Sequence, residues 1–265
     1  MPEGHTIHRL AREHNRLFGG QAVGAASPQG RFAEGAARID GRVLRRVEPY
    51  GKHLFYRFGG EESLHVHLGL YGTFISGALP APAPRGALRL RLTGDHQYVD
   101  LRGPTACELL PPAERRAILA RLGPDALRRG ASPEAAWTRI RASRVPVGAL
   151  LLDQSVLAGV GNVYRAELLY RHGVDPHRPG RSLFEGDWDA LWTDLRTLMR
   201  AGVQAGRIVT TRPEHRTRRR GPASREDACY VYRRAGEACR VCGTEVRTEL
   251  MAGRNLYWCP ICQPA

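Results

Sequence analysis

Leu88-Arg89-Leu90-Arg91-Leu92 alternates apolar and basic side chains, Gly94-Asp95 turns the chain, and Gln97-Tyr98-Val99-Asp100-Leu101 alternates back. A period of two sends successive side chains to opposite faces of a strand, so this stretch predicts a β-hairpin with one buried face. Residues 54–58, 64–68 and 73–75 read as further strands, and the strand pattern runs from about Arg42 to Leu101. A helix precedes it, because Ile7, Leu10, Ala11, His14, Leu17 and Phe18 recur at 3–4 spacing. Pro80 to Pro84 is a loop, and Pro111-Pro112 marks the exit from the sheet region. A helix over about 113–122 stops at Gly123-Pro124.

Beyond it the pattern is helical. Ser132-Pro133 reads as a helix start, with serine as the N-cap. A helix from Pro146 through Leu157 is broken at Gly159-Val160-Gly161, and Asn162 can cap the next helix, which stops at Gly173. Trp188, Leu191, Trp192, Leu195, Leu198 and Met199 define another amphipathic helix. Residues 207–227 are polar and arginine-rich and read as an exposed loop.

The 265 residues carry 40 Lys and Arg against 26 Asp and Glu, a formal charge of +14. Lys52 is the only lysine; every other one of those basic residues is arginine. Such a charge favours phosphate-rich partners, although an arginine-favouring genome writes the same composition onto a solvated surface. The 42% apolar content excludes global disorder. No basic head with an apolar run opens the chain, and residues 145–164, the most apolar stretch, carry Asp153 and Gln154. The reading is a cytoplasmic protein with no membrane partner.

Cys239-x2-Cys242 and Cys259-x2-Cys262 form two matched pairs in the last 27 residues. Two such pairs suit a tetrahedral zinc site, with a redox dithiol as the alternative reading. Four thiolates leave no open position, so the metal would be structural. The interval between the pairs is long enough for a hairpin with Arg254 near its tip. Cys107 and Cys229 lie outside these two pairs.

Four shorter signals carry chemistry. Pro2 permits removal of Met1, which exposes a secondary amine whose pKa near neutrality suits attack on an aldehyde-like carbon. Glu3 beside it can serve as acid or base; many chains nonetheless begin Met-Pro-Glu. Lys52 follows Gly51 at the start of a strand. Leu70 and Tyr71, in HLGLYG, read either as core or as a wedge entering a base stack. Gly159-Val160-Gly161-Asn162 offers backbone N–H groups and an amide to phosphate.

PEG at the start, YGKHLF, HLGLYG, RLGPDAL, LLDQSVLAGVGNVYRAELL and the terminal C-x2-C…GRNLYWCPICQ resemble, in order, the motifs of the formamidopyrimidine-DNA glycosylase / endonuclease VIII family. PEG together with LYG is closer to the endonuclease VIII branch. The resemblance implies an α+β fold: an N-terminal helix and β-sandwich over 1–125, a helical domain with a helix–two-turn–helix motif over 126–234, and a zinc-finger hairpin over 235–265. It implies excision of oxidised bases, pyrimidines and ring-damaged products, followed by AP lyase chemistry. A glycosylase for oxidised purines and a non-catalytic damaged-DNA binding protein are the alternatives.

By the same resemblance, Pro2 is the nucleophile and Glu3 the general acid. Lys52 contacts phosphate and assists proton transfer, and Arg254 clamps phosphate from the zinc hairpin. His67, Arg121 and Asn162 are DNA contacts, while Leu70 and Tyr71 fill the void left by a flipped base. The implied partner is damaged DNA, duplex with single strands as a second form, bound by a monomer acting at the bacterial nucleoid. Gly69 stands where endonuclease VIII has glutamine and Thr6 where many members have glutamate. The segment 101–110 lacks the Arg-Phe wedge of the formamidopyrimidine branch. The loop with Arg212, Arg216, Arg218, Arg219 and Arg220 either grips nucleic acid or is simply solvated.

Overall fold

The computed structural model describes residues 2–265; Met1, whose removal the proline chemistry requires, lies outside the described residues. The chain divides into two compact units. One comprises Pro2, Glu3 and Ile7–Arg121, the other Gly4–Thr6 and Leu122–Ala265.

The first unit holds most of helix α1 (Gly4–Phe18), β1 (Ala22–Ala26) and α2 (Ala33–Ile39). Strands β2 (Arg42–Tyr50), β3 (His53–Phe58), β4 (Ser63–His67), β5 (Thr73–Ala78), β6 (Leu88–Thr93), β7 (Gln97–Arg102) and β8 (Ala106–Leu110) follow, and α3 (Pro112–Ala120) ends the unit. The strand order is β5-β7-β6-β1-β2-β3-β4-β8, and every pairing is antiparallel. Strand β1 changes partner along its length. Ala22 and Val23 pair with β2, whereas Gly24, Ala25 and Ala26 pair with β6. The sheet thereby folds into two halves whose inward faces supply one core, including Leu90, Leu92 and Val99 from one half and Leu44, Tyr56 and Val66 from the other.

The alternation in 88–92 is realised as written: Leu88, Leu90 and Leu92 are buried and the arginines between them are not. Ile7, Ala11, His14 and Phe18 form the buried stripe of α1. Strands β1 and β8 and helix α2 carry no such signal. AVGAA in particular has side chains too small to display an apolar period.

The second unit contains α4 (Glu134–Arg141), α5 (Val147–Leu150), α6 (Asn162–Arg171), α7 (Glu185–Ala205) and the hairpin β9 (Arg247–Met251) and β10 (Arg254–Trp258). Trp137, Ile140, Leu157, Tyr164, Leu168, Trp188 and Leu191 belong to its main core. Gly4, in the first turn of α1, donates its N–H to Gly159 O at 2.8 Å. A Cβ on Gly4 would lie 2.7 Å from Met199 Cε and 3.1 Å from Gly159 Cα, so the glycine is needed for close approach.

Three sequence expectations are corrected. The helix expected from Pro146 through Leu157 ends at Leu150. Asp153 Oδ1 accepts the Ser155 N–H at 2.8 Å, and the Gln154 side chain bonds Leu152 O, Val160 O and the Gly159 N–H. These side chains compete with the helical ladder for its own donors and acceptors. Asn162 is not a cap: the N-cap position of α6 is Gly161, with extended backbone at φ −124°. The expected bond from Ser132 forms, its hydroxyl accepting the Glu134 N–H at 3.2 Å, but Pro133 and not Ser132 holds the N-cap position of α4, which begins at Glu134.

Among the described residues, no helix is long and apolar enough to cross a membrane.

Candidate nucleic-acid interface and metal centre

Lys52 owes its position to a two-residue turn. Tyr50 pairs with His53, leaving Gly51 and Lys52 as the whole connection between β2 and β3. Gly51 has φ +54°, and Lys52 has no positive φ. That is the type II′ pattern, which asks for glycine at its first central position and matches the right-handed twist of the strands. Gly51 therefore serves the turn, and the turn presents Lys52 at the sheet end.

His53 pairs directly with His67 across β3 and β4, so Lys52 and His67 flank the same residue. On this face His53 and His65 stand side by side, with ring planes 20° apart and Nδ1 to Nε2 at 2.8 Å. His65 Nδ1–H donates to Glu108 at 2.9 Å. Burial first, then the charges of His67, His65, Arg121 and Lys52, pushes His53 down to about 3. Burial lowers His65 against the opposing pull of Glu108, and burial followed by His65 and Lys52 lowers His67. Lys52, His67 and Arg121 thus converge electrostatically around His53 and His65. Arg121 is the exposed C-cap residue of α3.

Immediately after β4 the chain turns through 68–72, closed by Gly72 N–H to Leu68 O at 2.9 Å. Leu70 is 43% and Tyr71 85% exposed, so these side chains are displayed rather than packed into the core. Gly69 has φ +65°, and a Cβ there would lie 1.9 Å from Thr105 Oγ1. The turn itself demands glycine at this position, which accounts for the absence of glutamine. Glu3 is buried and occupies the N-cap position of α1 without a side-chain cap bond; Pro2 ahead of it is half-buried.

In the second unit, Asn162 is buried and committed to protein contacts. Its amide donates to Asn255 O at 2.8 Å, and its Oδ1 accepts from Arg165. Arg165, fully buried, also donates to Met251 O at 3.2 Å. These bonds fasten the β9–β10 hairpin to α6. The hairpin turn, Ala252-Gly253, has φ +53° and +70°, a type I′ geometry, and Arg254 is exposed at its exit. Sequence reading missed Arg165 and Glu167. Their signal was two charges within the mainly apolar stretch Asn162 to Tyr170, which is buried throughout.

Glu167 is a hub. Its carboxylate accepts the N–H groups of Tyr230 at 2.7 Å and of Val231 and Tyr232 at 2.8 Å, together with the Thr210 hydroxyl. The arginine-rich loop is therefore held at both stems. Asp227 ties it again: hydrogen bonds from Thr217, first its backbone N–H, hold this carboxyl below the usual range. Arg218, Arg219 and Arg220 remain exposed.

The sulfurs of Cys239, Cys242, Cys259 and Cys262 all lie within 4.8 Å of one another, with Cys242 to Cys259 at 3.4 Å and Cys239 to Cys262 at 3.8 Å. A tetrahedral zinc with bonds of about 2.3 Å sets its sulfurs about 3.8 Å apart. All four converge on one centre instead of closing as two dithiols, and Tyr170 OH lies 3.0 Å from Cys239 Sγ. The set holds one structural zinc ion.

Family models agree along nearly the whole chain. The formamidopyrimidine-DNA glycosylase N-terminal domain matches residues 1–107, its H2TH domain 122–213, and the zinc finger found in FPG and IleRS 236–265. "Endonuclease 8 1" of Mycobacterium tuberculosis is 54% identical, over 99% of this chain and all of that protein. "Probable endonuclease 8 2" of Streptomyces coelicolor is 36% identical, over 99% and 94%. The fold matches a Lactococcus lactis Fpg solved with abasic-site DNA, with a TM-score of 0.82 at 20% identity, over 99% of this chain and all of that one. The chain belongs to the formamidopyrimidine-DNA glycosylase / endonuclease VIII family of bifunctional DNA glycosylase/AP lyases.

Proposed function

We propose that this enzyme excises oxidised bases, chiefly pyrimidines and ring-damaged products, and then cleaves the resulting abasic site. The observation that supports this best is the pairing of a displayed Leu70-Tyr71 tip with the Lys52 and Arg121 cations and the His67 ring gathered at the same end of β4. Apolar groups offered to solvent beside a cationic cluster suit a wedge that replaces a flipped base while the cations hold backbone phosphate. The 54% identity to an "Endonuclease 8" favours the endonuclease VIII type of substrate.

In this reading the Pro2 amine, freed by loss of Met1, attacks C1′ while Glu3 delivers a proton to the opening sugar and the base departs. The iminium then draws electrons from the C2′–H bond. Loss of that proton expels the 3′ phosphate by β-elimination, and a second elimination expels the 5′ phosphate. Lys52 steadies phosphate and assists the proton transfer. Arg254 clamps phosphate from the zinc hairpin and favours the second elimination. The Asn162 amide is already bonded to Asn255, so its phosphate contact comes through the backbone N–H at the first turn of α6. The enzyme acts as a monomer in the cytoplasm, on duplex DNA of the nucleoid and on single strands. Its working parts are the segment 1–125, the helical segment 126–234 and the zinc finger 235–265.

Borohydride trapping on abasic-site DNA tests the chemistry. Protein lacking Met1 should form a covalent adduct that Pro2→Gly impairs; undiminished trapping by that variant would move the nucleophile elsewhere. Side-by-side excision of thymine glycol and 8-oxoguanine tests the lesion class, and preference for 8-oxoguanine would assign the enzyme to oxidised purines.

A further inference from the structure

Three strands each place one polar residue in a hydrogen-bonded row that runs diagonally across one face of the sheet: His53 on β3, His65 on β4 and Glu108 on β8. Register makes the row. His65 stands opposite Glu108, and His53 opposite His67, one pair further along the same face. His65 is almost fully buried, while Glu108 is about half exposed. Phe55 packs beside both rings, its centroid 5.1 Å from His65, and Arg115 covers the outer face of Phe55. Such a row is absent from the mechanism above.

Hydrogen-bond logic fixes its protons. An ionised carboxylate only accepts, so His65 carries its proton on Nδ1. Its Nε2 is then an acceptor, and His53 must carry its proton on Nδ1 to donate to it. The chain Glu108, His65, His53 has one direction and one tautomer at each ring. It ends at the residue that closes the two-residue turn bearing Lys52 and that pairs with His67. The groups facing it are Lys52, His67 and Arg121, with Arg115 over Phe55.

We infer that Glu108, His65 and His53 form a hydrogen-bonded relay that positions the Lys52 turn for the elimination step. Glu108 and His65 are positioning residues; neither is asked to touch DNA. The inference rests on the role proposed above for Lys52. Without the relay the His53 ring can turn about its side-chain bonds, and the turn it closes loses its lateral anchor. Misplacement of a proton-transfer group by about 1 Å can cost on the order of a hundredfold in rate.

A double-mutant cycle tests it, read as the single-turnover rate of strand cleavage on DNA that already contains an abasic site. His65→Phe keeps the ring beside Phe55 and removes both hydrogen bonds. It should slow cleavage by about tenfold when Lys52 is present, and by no more than about twofold in a Lys52→Ala background. Nitrogen-15 shifts of the His53 ring should report one Nδ1–H tautomer in the parent and a mixture in His65→Phe. Glu108→Gln, whose amide oxygen still accepts, should lose less than Glu108→Leu. The half-exposed Glu108 variants carry the same cycle if His65→Phe does not fold. A normal rate in His65→Phe or Glu108→Leu beside a slow Lys52→Ala overturns the relay alone, as do fully additive losses. A normal rate in Lys52→Ala overturns the role of that lysine and the relay with it.

Discussion

Replacing Glu167 by glutamine changes one oxygen to an NH2 group inside a closed set of donors. In the parent, one carboxylate oxygen accepts the Val231 and Tyr232 N–H groups, and the other accepts the Tyr230 N–H and the Thr210 hydroxyl. The cheapest arrangement for glutamine keeps its oxygen toward Val231 and Tyr232. The Thr210 hydroxyl can rotate and accept from the new NH2, since its other partner is Ala228 O. The Tyr230 N–H cannot rotate and is left facing a donor. An orphaned buried N–H costs about 1–3 kcal/mol, and the loss of charge from the surviving bonds costs about 1 kcal/mol each. The smaller desolvation cost of an amide offsets part of this. A net destabilisation of about 2–4 kcal/mol is expected, concentrated where the stems of the arginine-rich loop meet α6. Urea unfolding of the zinc-loaded protein gives the total. Amide exchange at Tyr230, Val231 and Tyr232 gives the location, with protection falling there before it falls in β2 or β3. A Glu167→Gln protein within about 1 kcal/mol of the parent, with unchanged exchange at those three amides, would refute the assignment of the carboxylate as the anchor.

Three further outcomes are expected. His14 is buried with Nδ1 2.6 Å from Tyr56 OH, and burial holds its pKa at about 3. The unfolded chain therefore binds this proton first as pH falls below about 6.5, so stability present above that pH is lost at about 1.4 kcal/mol per unit down to about 3; urea midpoints at pH 7 and 5.5 should show a shallower loss in His14→Gln, and an identical loss would exclude this histidine as the source. Cys242→Ser should lose its zinc by metal analysis and lower abasic-site cleavage by about tenfold or more through the freed Arg254 hairpin; full cleavage by metal-free protein would contradict that coupling. Ala252 holds φ +53° in the hairpin turn, so Ala252→Asn should raise the melting temperature through a gain of about 0.5–1 kcal/mol, and an unchanged or lower value would show that the turn is not strained.

Legibility follows the range over which each feature is written. The 88–101 hairpin is local: Leu88, Leu90 and Leu92 declare one face without reference to the rest of the chain. Strand β1 is the opposite case. AVGAA becomes a strand only because β2 and β6 offer it edges on both sides, and its sequence carries no apolar period of its own. Asn162 was legible as a residue near the glycine turn, but not in its direction. Its side chain turns to Asn255, 93 positions away, instead of to its own helix end. Leu70 and Tyr71 read equally as core or as tip until the 68–72 turn displayed them.

By itself the sequence determined the sheet-then-helix order, the zinc module and the family, because each is encoded in period, spacing or motif within a few tens of residues. The tertiary structure alone decided what the polar residues inside those elements do. His65 meets Glu108 across 43 positions and Glu167 meets Tyr230 across 63. Strand register and helix docking bring these donors and acceptors together, and a buried polar group must satisfy its hydrogen bonds with whatever partners the fold supplies.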